Sequence, residues 1–186
     1  MSSKRPLRVL WVEDKTQLEL AYLVPPVLMD GRYDLEVTRD ASAALEYLGQ
    51  GRRGKFDLLV FDLDIPPGEW EPFIEFYKRY ERRGQDPAML GLELLWFLRT
   101  GKGRRREFWK QQDALFTLLR ILHHQYKSTP AAVLSIYTYR VKADLVQLFN
   151  LEDKPEAQEK LLIQKQANMP RTVLLRLLQY MEEFYL

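Results

Sequence analysis

The 186-residue chain contains no cysteine, and its only two histidines, His123 and His124, are neighbours. Without thiols there is no disulfide framework, no thiolate zinc or iron–sulfur site and no cysteine nucleophile. Two adjacent residues on a helix point about 100° apart, and these sit in an apolar run, which argues against a phosphohistidine site. Carboxylates, hydroxyls and amines are left to carry any reaction. Long hydrophobic runs are also missing: no stretch approaches the roughly 20 apolar residues of a membrane span. The N-terminal Met-Ser-Ser-Lys-Arg-Pro has no apolar signal region, so a cytoplasmic location away from membranes is expected. A net charge of +2 is too small to imply nucleic-acid binding from bulk electrostatics, although basic residues cluster at 52–55 and 99–106. Arg104-Arg-Arg-Glu107 reads as a solvated turn, and direct DNA binding is not expected.

A hydrophobic content of 46% against 29% charged residues suits a chain that folds on its own, and its length suits one domain with elaborations. Residues 8–12 form a β-branched and apolar run that stops abruptly at Glu13-Asp14, as a buried parallel strand does on reaching a surface site. Residues 15–29 have a helical pattern, but Pro25-Pro26 should end or kink that helix because proline lacks the amide donor. Next come a strand at 35–38, a helix at 41–48, a basic turn at 49–54 and a strand at 56–62.

Aromatic residues then recur at helical spacing, first over 70–80 and again over 108–122. They read as two helical insertions, at about 67–90 and 100–130, with 91–99 a further helix and 108–126 one long one. Their aromatic stripes would cover the core, or bury a partner or a second copy of the chain. A strand at 132–137, a helix at 141–149, a charged loop or short helix at 152–160 and a short strand at 161–163 complete the alternation. Pro170 is placed to open a final helix. Strands alternating with helices imply a doubly wound parallel sheet with ligands at the carboxyl ends of the strands.

Glu13, Asp14 and Asp62 all fall at such ends. Ionised carboxylates brought together repel by roughly 1–4 kcal/mol per close pair, so the site needs a cation. Oxygen ligands without imidazole or thiolate suit magnesium, and magnesium suits phosphoryl chemistry on a carboxylate.

Three segments, Val9-Leu-Trp-Val-Glu-Asp14, Phe56-Asp-Leu-Leu-Val-Phe-Asp-Leu-Asp-Ile-Pro66 and Gly91-Leu-Glu-Leu-Leu95, resemble the receiver domains of two-component response regulators. The resemblance implies a flavodoxin-like, five-stranded parallel sheet of order 2-1-3-4-5 with extra helices. It implies that Asp62 is the phosphoacceptor, that Glu13 and Asp14 bind Mg2+ with it, and that Asp64 lends its backbone carbonyl to the metal. Thr138 and Lys165 fit the family's phosphoryl-contacting hydroxyl and lysine, with Ser135 the alternative hydroxyl if the fourth strand is registered three residues earlier. Gln166 stands where a proline commonly follows the lysine, Tyr139 where a small residue is usual, and Leu162 where many receivers hold a switching aromatic.

The resemblance thus implies a phosphoacceptor signalling module rather than an enzyme, served by a sensor histidine kinase or phosphotransfer protein. Because the chain ends after its final helix, its output is expected to pass through contacts with a downstream protein. Two readings stand beside it: a pseudo-receiver that signals only by binding, and a Mg-dependent phosphohydrolase using Asp62 and Asp64. The Glu13-Asp14 pair on a separate strand favours the receiver over the hydrolase.

Overall fold

The computed structural model describes residues 5–14, 17–50, 54–81 and 88–186. The basic turn expected at 49–54 and the insertion expected at 67–90 therefore lie partly outside the described residues. Five strands, β1 (Leu7–Val12), β2 (Tyr33–Thr38), β3 (Leu58–Phe61), β4 (Ala131–Ser135) and β5 (Leu162–Gln164), form one sheet in the order β2-β1-β3-β4-β5. Every pairing is parallel, and helices flank the sheet. This is the flavodoxin-like arrangement expected from the alternation of elements.

Burial on both faces explains the composition of the inner strands. Leu-Leu-Val-Phe in β3 and Ala-Ala-Val-Leu-Ser in β4 are buried at every position. Arg8 in β1 is tolerated because its Nη2 donates to Glu36 Oε1 at 2.8 Å and its guanidinium lies 4.5 Å from the centre of the Phe56 ring.

Between strands run α1 (Gln17–Asp30), α2 (Ala41–Gly49), α3 (Glu71–Glu81), α4 (Leu90–Thr100), α5 (Arg106–Trp109), α6 (Asp113–Tyr126), α7 (Lys142–Phe149) and α8 (Pro155–Leu161), and α9 (Val173–Tyr185) follows β5. Helices α1 and α9 pack together, and α2 and α6 pack on α4. No helix among the described residues is long and apolar enough to cross a membrane.

Three expectations change. Helix α1 is neither short nor broken: it continues through Pro25 and Pro26 to Asp30. Burial of Leu23 and Val27 in the core outweighs the lost amide donors. The single long helix expected over 108–126 is two, α5 and α6. Phe108 and Trp109 are both buried against Phe76, and the chain leaves the helix over residues 110–112 before α6 begins. Pro170 lies before the last helix, its carbonyl accepting from Val173 N at 3.0 Å.

Candidate functional site

Parallel register brings the acids together. Val12 pairs with Phe61, so the next residues along, Glu13 and Asp62, leave the sheet side by side. Asp62 N donates to Val12 O at 2.8 Å and Glu13 N to Thr38 O at 2.8 Å, which fixes both backbones before their side chains meet. Carboxylate oxygens of Glu13, Asp14 and Asp62 lie within 4.8 Å of one another. Glu13 and Asp62 are buried, at 0% and 2% exposure, whereas Asp14 is exposed.

Each oxygen of Asp62 has a partner. Oδ1 accepts from Ser135 Oγ at 2.6 Å and from the Asp64 backbone amide at 3.3 Å, and Oδ2 accepts from Lys165 Nζ at 2.6 Å. The same Lys165 ammonium donates to Glu13 Oε2. Lys165 is positioned by its own backbone amide, which donates to Ser135 O at 3.0 Å.

Two buried acids sharing one ammonium set the electrostatics, with Asp14 beside them. The Glu13 carboxyl is raised to about 7, chiefly by burial and further by the charges of Asp62 and Asp14, against the pull of Lys165. Burial drags the Lys165 ammonium down, but Asp62 and Glu13 together outweigh that, leaving it above the ordinary lysine value. A cluster of three carboxylates, offering only oxygen ligands, fits a small divalent cation such as magnesium.

Behind Asp62 stands α4. A Cβ at Gly91 would lie 2.0 Å from Asp62 O, so only glycine lets the helix approach this closely. Leu92 N donates to Leu63 O at 3.3 Å, completing the seam.

No protein-family model matches the chain, and no curated protein does either. Among solved structures, the bacteriophytochrome response regulator AtBRR superposes with a TM-score of 0.52 at 16% identity, over 98% of this chain and 97% of that one. The fold is receiver-like.

Within the receiver-like fold, Glu13, Asp14, Asp62 and Lys165 come together. Thr138 does not join them: its Oγ1 donates to Ser135 O at 2.9 Å and Ile163 O at 3.0 Å, holding a buried 3-10 turn (Thr138–Arg140) after β4. The hydroxyl that reaches Asp62 is Ser135, because β4 ends there and not at Tyr137. A signal for this was present in the sequence: the apolar run of β4 stops at Ser135 much as that of β1 stops at Glu13. Asp64 contributes a backbone amide to Asp62. Lys165 reaches the site with Gln166 after it; among the described residues there are no cis peptide bonds. Leu162 is a buried leucine at the start of β5.

Proposed function

We propose that the protein is a phosphoacceptor receiver that takes a phosphoryl group on Asp62. The observation that carries this reading is the pairing of the two Asp62 oxygens, one with a hydroxyl and the other with a buried ammonium, beside two further acids. An Asp62 oxygen attacks the phosphorus of a donor, a new P–O bond forms, and the bond to the donor's leaving group breaks with its electron pair. Lys165 balances charge gathering on the phosphoryl oxygens, and Ser135 supplies a hydrogen bond to the same group. Glu13, Asp14 and Asp62, with the Asp64 carbonyl, would hold a magnesium ion, which when bound neutralises phosphoryl charge and helps align donor and acceptor.

The donor in this reading is a sensor histidine kinase or phosphotransfer protein, the setting is cytoplasmic, and output passes to a downstream protein. The protein is a signalling module, so sustained turnover of phosphate esters is not expected. Incubation with Mg2+ and acetyl phosphate followed by intact-mass measurement tests the reading: one phosphoryl adduct is expected on the wild type and none on Asp62→Asn. An unmodified wild type would leave the pseudo-receiver, which signals by binding alone.

A further inference from the structure

The loop after α4, Thr100-Gly-Lys-Gly-Arg-Arg-Arg106, takes no part in the Asp62 site. Its backbone is tied down. Gly101 N donates to Phe97 O at 2.8 Å, while Thr100 Oγ1 accepts from Lys102 N at 3.2 Å and donates to Trp96 O at 2.9 Å. A Cβ at Gly103 would stand 1.9 Å from Trp109 Cδ1, so the loop is pressed against that indole.

Two clefts at this end of α4 share Trp96 and Thr100 in their walls. One, of about 480 Å³, adds Arg99, Lys127, Phe149 and Tyr185. The other, of about 490 Å³, adds Lys102, Arg104, Arg106 and Asp144.

Charge in these walls is one-sided. Asp144, their single carboxylate among the described residues, already accepts from Arg104 Nη2 at 2.6 Å. Arg99, Lys102 and Arg106 have no acidic partner among the described residues. The Arg99 guanidinium lies 5.2 Å from the Phe149 ring centre and donates to Lys127 O at 2.8 Å, and burial pulls its pKa below the ordinary value. Such a charge lacks the counter-ion that would compensate its desolvation.

Helix electrostatics explain only part of this. The carbonyl ends of α4, α6, α7 and α9 reach the first cleft and attract cations, which accounts for Arg99. They also favour Lys102, two residues beyond the end of α4, but not Arg106, which lies further along the chain at the start of α5. Trp96, half-buried with the Arg104 guanidinium 5.4 Å from its ring centre, borders both clefts.

We propose that these adjoining clefts bind a nucleotide, its base against Trp96 and its phosphate over Lys102 and Arg106, the loop cations with no acidic partner among the described residues. An aromatic ring flanked by cations matches both halves of such a ligand, since the base stacks while the phosphate is neutralised. Each cleft has the volume of a small-molecule site. The nucleotide is either free or one unit of a single strand. Binding is separate from chemistry at Asp62, which meets α4 at Gly91, about 13 Å along the helix from Thr100.

The test uses the unphosphorylated full chain at low salt and three probes: GMP by calorimetry, a fluorescein-labelled oligothymidylate by anisotropy, and inorganic phosphate. GMP or the oligonucleotide should bind at least roughly tenfold more tightly than inorganic phosphate, and more weakly as salt rises. Whichever of the two binds identifies the source. Lys102→Glu with Arg106→Glu, both exposed and therefore compatible with folding, should weaken binding by about tenfold or more, while Lys102→Arg with Arg106→Lys should retain it. Trp96→Leu should weaken binding without altering its salt slope. The proposal is overturned if neither nucleotide probe binds, if inorganic phosphate binds as tightly, or if charge reversal leaves the affinity unchanged.

Discussion

A hydroxyl is worth most where its partner carries charge. Ser135 Oγ donates to the Asp62 carboxylate at 2.6 Å, whereas Thr138 Oγ1 is divided between two backbone carbonyls at 2.9 and 3.0 Å. Their substitutions should therefore separate chemistry from stability. Ser135→Ala is expected to slow phosphorylation by acetyl phosphate roughly a hundredfold, as loss of a positioned donor does. Thr138→Val should leave that rate within about twofold while costing about 1–3 kcal/mol in urea unfolding, because buried carbonyls lose a donor. Equal rates for wild type and Ser135→Ala would remove Ser135 from the chemistry. Which hydroxyl served Asp62 was the least legible residue in the sequence, since a slip of three positions in β4 exchanges the two. Glu13 and Asp62 were easier to read because each directly succeeds an apolar run whose burial on both faces limits where the strand can stop, and Asp14 follows Glu13.

Helix α4 links the site to the inserted elements. Its first turn touches Asp62, and its Glu93 accepts from Trp109 Nε1 of α5 at 3.1 Å, with the Arg105 guanidinium 4.0 Å away. Burial raises the Glu93 carboxyl above its ordinary value, against the pull of Trp109, Arg105 and Arg104. A raised carboxyl weakens the fold as the solution becomes alkaline. As pH rises through the unfolded-state pKa, the unfolded chain loses a proton that the folded chain keeps, so stability falls until the folded group also ionises. Glu93→Gln keeps an acceptor for Trp109 without the buried charge. It is expected to raise the melting temperature more at about pH 8 than at about pH 5, in thermal scans of both proteins. A larger gain at the lower pH would contradict a Glu93 carboxyl raised by burial. Amphipathic spacing made α3 and α6 visible in the sequence, but the break between α5 and α6 depends on Phe108 packing at 5.1 Å and Trp109 at 5.2 Å from Phe76. Such pairings across the fold leave no periodic trace in a single chain.

On the scale of the molecule, β1, β3, β4 and β5 all deliver residues to one carboxylate cluster, so a cation bound there ties both halves of the sheet together. Magnesium at about a hundredfold above its dissociation constant should stabilise the fold by about 2.7 kcal/mol, an increment that Asp14→Asn should largely remove. Urea titrations with and without the ion measure it, and an unchanged midpoint in the wild type would argue against the ligand set. The long connection between β3 and β4 matters for how the molecule assembles. β3 ends at Phe61 and β4 begins at Ala131, so the ladder between them joins residues far apart in the chain, while β1, β2 and β3 lie close in sequence. Pairings at long separation form slowly because the loop must close before any contact repays it. During synthesis the first three strands emerge well ahead of the fourth, and helices α3 to α6 must be made before β4 exists. Until then the outer side of β3 is an open, wholly apolar edge, the kind of surface on which nascent chains stick to one another.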